Sequence, residues 1–435
     1  MAVDALPPIA SLKIPTISKS SIDKALFSKA ESLITDYNAA PDILKSPATT
    51  RALLLEIIKP LFSTTQHPSL APSGRKAAFA PPPLLPHASS PLVFGDENQP
   101  PWKRNFSTLT APLLRAIISS YAYISSDNQR AVLEDQIFLL TPALLNLLDD
   151  GTPNIKTTGF DLLHDLSKLL SEAKSPILHK SGLTEVFINA LESDFMLLPT
   201  LTPEAESLNI LGSLYPALLA LIAAGFPDLP SAPSLRYPSD PVHARAEAAR
   251  QKLLTSVVLN KGILPSLAHL SAGVATSHPP IVALLLEQLR ITIERMGIYS
   301  TSHLQTILPL LRGIVAEPFS MAAPRMVCAA IDCLDALITT CPQRIREHWW
   351  PEILRALIGG WLAVPDEVEC NSLGAATGTS AAGPAMNDIK KNVENVTQTL
   401  RNAMVQTSAG KASWSEACAA LIEEEPLLAP LLLRP

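Results

Sequence analysis

A proline followed by leucines recurs along this chain, and the spacing of its copies limits the folds open to it. An apolar residue stands two positions after the proline, and usually another stands five positions after it. The pattern occurs at Pro142, Pro216, Pro265 and Pro309, and more weakly at Pro351, with intervals of 74, 49, 44 and 42 residues. Spacings of about 40–47 residues, each holding two helices, are typical of HEAT and armadillo arrays. We therefore predict an all-α, HEAT/armadillo-like α-solenoid of antiparallel helix pairs.

The composition agrees with a helical fold. Apolar residues make up 47% of the chain, whereas aromatic residues make up only 5% and charged residues 17%, so leucine and alanine must form most of the core. A β fold would use more Val, Tyr, Phe and Thr in alternation. The net charge of −6 argues against a nucleic-acid-binding protein, because such proteins carry a strongly basic surface.

Helix periodicity is strong between three segments rich in Pro, Gly or Ser, which we expect to be mobile surface loops. We predict N-terminal helices over 1–62, a Pro/Ser-rich loop over 63–105 and the solenoid over 106–364, with a Pro-rich insert at 226–241. A Gly/Ala/Ser-rich loop over 365–388 and C-terminal helices over 389–435 complete the chain. Thr152 and Asp240 each precede a proline and are predicted helix caps, and Ser413 with Glu416 has the spacing of a capping box.

The sequence gives no sign of secretion, membrane insertion or metal binding. The start of the chain lacks the basic and apolar regions of a signal peptide, and the most apolar run, residues 217–226, is too short to span a bilayer. The five cysteines are expected to be reduced thiols: Cys328, Cys333, Cys341, Cys370 and Cys418. Their spacing matches no zinc pattern, so we predict no metal and no cofactor, and Cys328 and Cys333 are interpreted as small apolar residues of a helix.

The stretch "LLDDGTPNIKTTGFDLL", residues 147–163, could be a catalytic loop or the turn of a helical hairpin. We favour the turn, because no histidine or serine nucleophile has a useful spacing to the acids. Asp149, Asp150 and Lys156 are predicted to be structural residues of the repeat. Asp150 and Lys156 resemble a HEAT consensus pair, which implies hydrogen bonds between successive repeats. Gly159 lies on the apolar stripe, where it permits close approach of another helix.

Three of the five tryptophans fall in one predicted helix, at Trp349, Trp350 and Trp361. The first interpretation is that they fill the core of the last repeats. The second is that they anchor a partner protein, because Trp and Arg dominate interface hot spots. Three nearby arginines could supply charged contacts or could be solvated: Arg344, Arg346 and Arg355.

Three blocks of the sequence resemble the Tel-two-interacting protein two family. They are "TPALLNLLDDGTPNIKTTGFDLLHDL", "SGLTEVFINAL" and a late hairpin with cysteines and paired tryptophans at residues 329–362. The resemblance covers residues 141–362, and neither the N-terminal third nor the C-terminal tail matches anything specific.

This resemblance implies the smaller HEAT-repeat subunit of the Triple-T co-chaperone complex, without catalytic activity. Its implied partners are the larger HEAT-repeat Tel-two-interacting sister subunit, the Tel-two subunit, and, directly or indirectly, chaperones and kinases related to phosphatidylinositol 3-kinase. We expect it in the cytoplasm and nucleus, with no membrane and no nucleic-acid partner. The alternative is an importin-like adaptor or a HEAT-repeat adaptor of phosphatase assembly. The importin type should show an acidic groove or an Asn and Trp ladder, and the phosphatase type should show uninterrupted repeats.

Overall fold

The computed structural model describes residues 46–65, 67–78, 99–231, 233, 240–271, 278–317, 321–364 and 382–433. Within these ranges the chain forms helices and one isolated β-bridge, between Leu70 and Lys76, and no strand. The prediction of an all-α fold is confirmed. The chain divides into two compact units. Unit 1 comprises Met1–Asp194 and Asn209–Leu229, and unit 2 comprises Phe195–Leu208 and Pro230–Pro435.

The α-helices that lie in or enter unit 1 begin after Ser46. In chain order they are α1 (Pro47–Leu53), α2 (Pro101–Arg104), α3 (Ala111–Ser120), α4 (Ser126–Leu148), α5 (Pro153–Glu172), α6 (Ile177–Ser181), α7 (Leu183–Glu192) and α8 (Glu204–Gly225). A further turn of α-helix, Lys59–Leu61, follows α1, and the 3₁₀ turns are Tyr121–Tyr123 and Ser193–Met196. Helix α5 packs against both α4 and α3, and α7 packs against α4, so each long helix buries its leucine stripe on a neighbour.

Unit 2 contains the remaining helices. They are α9 (Pro241–Leu253), α10 (Leu264–Leu270), α11 (Pro279–Met296), α12 (Leu304–Val315), α13 (Pro324–Thr340), α14 (Pro342–Arg344), α15 (Trp350–Ala363), α16 (Ala382–Met404), α17 (Ser408–Glu424) and α18 (Ala429–Leu432). The 3₁₀ turns here are Gly297–His303 and Pro426–Leu428.

The helices of unit 2 stack in successive pairs. Helix α11 packs against α13, and α13 packs against α16, so the first helices of three consecutive pairs form one row. Helices α12 and α15, the second members of two pairs, pack on each other. A helical hairpin cannot bury its own apolar face, and this stacking supplies the cover that each pair lacks.

Four stretches of wider π-helix interrupt the described α-helices. They are Leu54–Ile58, Phe106–Thr110, Leu254–Ile263 and Ile345–Trp349. Each ends two residues before a proline: Pro60, Pro112, Pro265 and Pro351. A proline inside a helix has no N–H to donate, and its ring clashes with the carbonyl four residues earlier. Widening the turn before the proline relieves this clash, which explains the coincidence.

Parts of the proline-rich segments contact the helices around them, although the sequence predicted surface loops. In the first, Lys76 pairs with Glu185 at 2.5 Å, and the Thr65 carbonyl accepts a hydrogen bond from Asn146 at 3.1 Å. Residues 63–65 and 67–78 therefore belong to unit 1 and contact its helices, whereas their mobility stays a prediction. Residues 79–98 lie outside the described part. Helix α2 begins at Pro101, still within the segment predicted as loop over 63–105.

The second and third segments also contain ordered parts. The Pro230 carbonyl accepts a hydrogen bond from the Arg250 guanidinium. Gly297, which directly follows α11, has a φ of +56°, and a Cβ built on it would lie 2.7 Å from Cγ of Pro233. A side chain there would be strained and would also displace Pro233. Helix α16 begins at Ala382, inside the predicted 365–388 loop, whereas residues 365–381 lie outside the described part.

Three described helical stretches are long and apolar enough to cross a membrane. They are Ser126–Leu148, Glu204–Gly225 and Pro241–Leu270, and the bent pair Pro324–Thr340 with Pro342–Ala363 would make a fourth. Residues 217–225 form the end of one such helix, which has 22 residues, so the apolar stretch is longer than the ten-residue run considered in the sequence. Between 50% and 61% of the residues in the apolar windows of the three helices are buried inside the protein.

Candidate interaction surfaces

The turn between α4 and α5 occupies residues 149–152, as predicted for a helical hairpin. Its Asp150 carboxylate accepts hydrogen bonds from Lys103 Nζ at 3.0 and 2.7 Å and from the Thr152 backbone N–H at 2.8 Å. The predicted cap at Thr152 is wrong, because its side chain makes no capping hydrogen bond. Instead, the Asp150 carboxylate accepts a hydrogen bond from the Thr152 backbone N–H just before α5.

Lys156 does not pair with Asp150. It enters the interior of unit 1, where its Nζ lies 2.7 Å from Asp194 Oδ1 and both side chains are almost fully buried. Lys103 and Asp150 are 47 residues apart, and Lys156 and Asp194 are 38 apart. Each ion pair therefore joins residues separated by about one repeat, as the HEAT resemblance implied for Asp150 and Lys156.

Unit 2 contains contacts with the same separation. Arg312 pairs with Glu352 at 2.6 Å, 40 residues on, and the Thr301 hydroxyl donates to Cys341 Sγ at 3.3 Å, also across 40 residues. Polar contacts between successive helix pairs thus recur in both units. Lys103, Asp194 and Glu352 were not predicted from the sequence, although each stands 38–47 residues, about one repeat, from its charged partner.

Asp194 has one carboxylate oxygen bonded to Lys156, while the other, Oδ2, is buried with no hydrogen-bond partner. Burial is the main cause that raises the pKa of Asp194, to about 6, and the nearby Asp149 carboxylate adds to the rise. The Lys156 ammonium acts in the opposite direction.

This shift predicts a pH dependence of stability. An unfolded aspartate has a pKa near 3.9, so between about pH 4 and 6 the folded state binds more protons at Asp194 than the unfolded state does. The contribution of Asp194 to the unfolding free energy therefore falls as pH rises through this window. We expect wild type to lose stability relative to Asp194→Asn between pH 4.5 and 7, as measured by urea unfolding of both proteins. A constant difference between the two proteins would contradict the assignment.

Gly159 lies where α5 crosses α4, as its position on the stripe predicted. A Cβ added to Gly159 would lie 3.0 Å from Cβ of Leu147 and 3.3 Å from Cδ2 of Leu148. The missing side chain allows the two helices of this hairpin to approach closely, so Gly159 serves packing within the pair.

We expect Gly159→Leu to lower the unfolding free energy by about 1–3 kcal/mol through overpacking. Gly313 is the matched control, because it also lies inside a helix but has no atom within 4 Å of an added Cβ. Gly313→Ala should leave stability unchanged or raise it by up to about 1 kcal/mol. Thermal melting of the two variants beside wild type tests both expectations, and an unchanged melting temperature for Gly159→Leu would contradict the close contact.

A cavity of about 210 Å³ lies between α4 and the start of the first proline-rich segment. His67 lines this cavity, and its Nε2 lies 2.7 Å from Oδ2 of Asp149. The other ring nitrogen, Nδ1, accepts a hydrogen bond from the Ser69 backbone N–H at 3.2 Å. Both nitrogens are therefore occupied, and His67 is not placed to take a proton from a nucleophile. Asp149 acts here as a structural partner of the bound segment.

The described cysteines are free thiols: Cys328, Cys333, Cys341 and Cys418. Burial raises the pKa of Cys333, whose thiol donates to the Leu286 carbonyl at 3.1 Å, and also raises the pKa of Cys328. Such thiols are poor nucleophiles. Cys370 lies outside the described residues. Within the described ranges, no three His, Cys, Asp or Glu side chains are grouped to hold a metal ion.

The predicted tryptophan cluster is covered by the chain's own C-terminal helices. The Trp350 ring lies 6.2 Å from the ring of Trp414 in α17, and the Trp361 indole N–H donates to the Leu427 carbonyl at 3.2 Å. Lys390 of α16 lies 5.4 Å above the Trp361 ring. Trp350 and Trp361 thus share a face, and the C-terminal helices lie against it. Trp349, the last residue of the π-helical stretch before α15, is half-buried.

Of the three arginines near these tryptophans, one contacts the C-terminal helices and two do not. Arg346 donates to the Ala403 carbonyl at 2.8 Å and to the Gln406 side chain at 2.6 Å, so it also holds the C-terminal helices. Arg355 pairs with Glu352 at 2.9 Å, and Arg344 is exposed. Sequence analysis missed Trp414 and Leu427, because nothing in the local pattern near Trp350 points to residues more than 60 positions away.

Helices that stack on one another and are joined by polar contacts 38–47 residues apart define an all-α, stacked-helix protein. The chain matches the model of the Tti2 family over residues 8–322, and it belongs to that family. No curated protein and no solved structure gives a significant match.

Membership of the Tti2 family supports, in general, a role as a subunit of the Triple-T co-chaperone complex, and this family is one of co-chaperone scaffolds and is not known for catalysis. The match also corrects the extent of the resemblance. It includes most of the N-terminal third, which we expected to match nothing specific, and it ends before the tryptophan hairpin at residues 329–362.

Proposed function

We propose that this protein is a non-catalytic scaffold subunit of a Triple-T-type co-chaperone complex, acting in the cytoplasm and nucleus. It binds the larger HEAT-repeat sister subunit and the Tel-two subunit. Together they support the folding, stability and assembly of kinases related to phosphatidylinositol 3-kinase, with chaperones acting alongside. The family match over residues 8–322 is the observation that carries this proposal.

The contacts of the described residues support a binding role over a catalytic one. Asp149, Asp150 and Lys156, the acids and base nearest to a catalytic pattern, are committed to His67, Lys103 and Asp194. A protein that uses its buried charges to hold helix pairs together offers other proteins an ordered surface.

Affinity purification of the tagged chain from cells that contain the matching subunits tests the proposal. We expect a large HEAT-repeat protein and a Tel-two homologue at similar stoichiometry. Depletion of the chain should lower the steady-state levels of the kinases, and wild type should restore them. Recovery of nuclear transport factors without a Tel-two homologue would instead favour the importin-like adaptor.

A further inference from the structure

The C-terminal end of unit 2 leaves large apolar side chains in solvent. Leu427 is 63% exposed, Leu433 is 65% exposed and Leu362 is 48% exposed. The hydrogen bond from the Trp361 indole to the Leu427 carbonyl brings the end of α15, which also carries Leu362, close to this segment. Large exposed apolar side chains that lie close together, rather than scattered singly, mark interaction sites.

The short segment that carries two of these leucines is itself firmly held. Leu428, Leu431 and Leu432 are buried, and α18 packs against α16. The Glu425 carboxylate accepts a hydrogen bond from the Leu427 backbone N–H at 3.3 Å, which caps the turn. Leu427 and Leu433 are therefore displayed on an ordered support.

The charges that precede Leu427 are acidic. Glu423, Glu424 and Glu425 are consecutive at the end of α17 and directly precede Pro426 and Leu427. Among the described residues, Lys390 lies over the Trp361 ring and Arg355 is paired with Glu352, while Arg434, which follows Leu433 in the sequence, lies outside the described part. An apolar surface edged by carboxylates is complementary to an apolar surface edged by Lys or Arg.

We propose that this end surface, formed by Trp361, Leu362, Leu427, Leu433 and the acidic residues 423–425, binds an amphipathic helix of another protein. The apolar face of that helix contacts the leucines, and Lys or Arg residues beside that face contact the carboxylates. The partner carrying the helix is a subunit of the co-chaperone complex, and this assignment of the partner rests on the proposed function.

The surface chemistry is tested without any knowledge of the partner. The probe is a labelled 18-residue Leu/Lys amphipathic helical peptide, with a Leu/Glu peptide of the same pattern as its counterpart. The full chain should bind the Leu/Lys peptide, and Leu427→Asp/Leu433→Asp should weaken binding by about tenfold or more, equivalent to roughly 1.4 kcal/mol. Glu423→Lys/Glu424→Lys should weaken it and reduce its salt dependence, while leaving the Glu425 cap in place.

Val242→Asp is the matched control, because Val242 is 72% exposed in the same unit but lies on α9. It should bind the peptide as wild type does. Equal binding by wild type and Leu427→Asp/Leu433→Asp, or no binding by wild type, would overturn the proposal. Circular dichroism and melting of each variant separate loss of binding from loss of folding.

The same variants in affinity purification identify the partner. We expect Leu427→Asp/Leu433→Asp to retain about tenfold less of at least one complex subunit than Val242→Asp does. If wild type recovers no subunit of the complex but still binds the Leu/Lys peptide through these leucines, the proposed function is wrong and the proposed binding surface is retained. If every subunit is retained equally, the partner assignment is wrong. Concentration-dependent dimerisation abolished by the leucine variant would replace the partner helix with a second copy of this chain.

Discussion

Replacing Lys156 with alanine is expected to lower the unfolding free energy of unit 1 by about 3–5 kcal/mol. Lys156 and Asp194 are both buried, and removing the ammonium leaves the Asp194 carboxylate in the interior without a cation. Asp194 Oδ2 already lacks a hydrogen-bond partner, and the other side-chain donor that this carboxylate has among the described residues, the Ser193 hydroxyl, is neutral and 3.4 Å from Oδ1, so it cannot replace the ammonium. Urea unfolding and amide hydrogen exchange in α5 would measure the loss.

A second lysine provides the matched comparison. Lys76 pairs with Glu185 at 2.5 Å, but 39% of the Lys76 side chain and 67% of the Glu185 side chain are exposed. Lys76→Ala should therefore cost less than about 1 kcal/mol. The double variant Lys156→Met/Asp194→Leu should recover much of the stability, because apolar residues of similar volume often replace a buried ion pair without loss. Equal effects of Lys156→Ala and Lys76→Ala would show that Lys156 is solvated.

Truncating Trp414 to alanine is expected to have the other large effect, a loss of about 3–5 kcal/mol in the stability of the C-terminal helices. Trp414 is only 4% exposed and meets the ring of Trp350, so its removal leaves a cavity under α17. Limited proteolysis with mass spectrometry should show faster cleavage within residues 382–433. Trp349→Ala is the control, since that ring is only half-buried. Unchanged protection of residues 382–433 in the Trp414 variant would contradict the role of this contact.

The helices themselves followed from the sequence because their apolar spacing matches the helical repeat. In α13, for example, Val327, Ile331, Leu334 and Ile338 recur at helical spacing, and all four are buried. The Asp240 cap is confirmed, because its carboxylate accepts from the Val242 N–H at 3.1 Å. Hydrophobic periodicity and capping are local properties, and a single sequence records them directly.

Other expectations failed where a competing local or distant partner decided the outcome. The capping box at Ser413 and Glu416 is wrong, because α17 begins at Ser408 and Thr407 caps it by accepting from the Gly410 N–H at 3.1 Å. The partners of Lys156 and Trp350 depend on how helices far apart in the sequence pack, which no local pattern encodes. Identifying them requires the stacking of the pairs.

The π-helical stretches ahead of the prolines have a consequence for insertions and deletions. A wide turn changes the rotational phase of the helix, so side chains after Pro265 point where uniform 3.6-residue spacing would not place them. Deleting one residue from Leu254–Ile263 would turn every later side chain of that helix by about 100°. Leu267 and Leu270, which are now buried, would then rotate away from their neighbours. The packing of the later leucines therefore constrains the number of residues in these stretches as well as their identity.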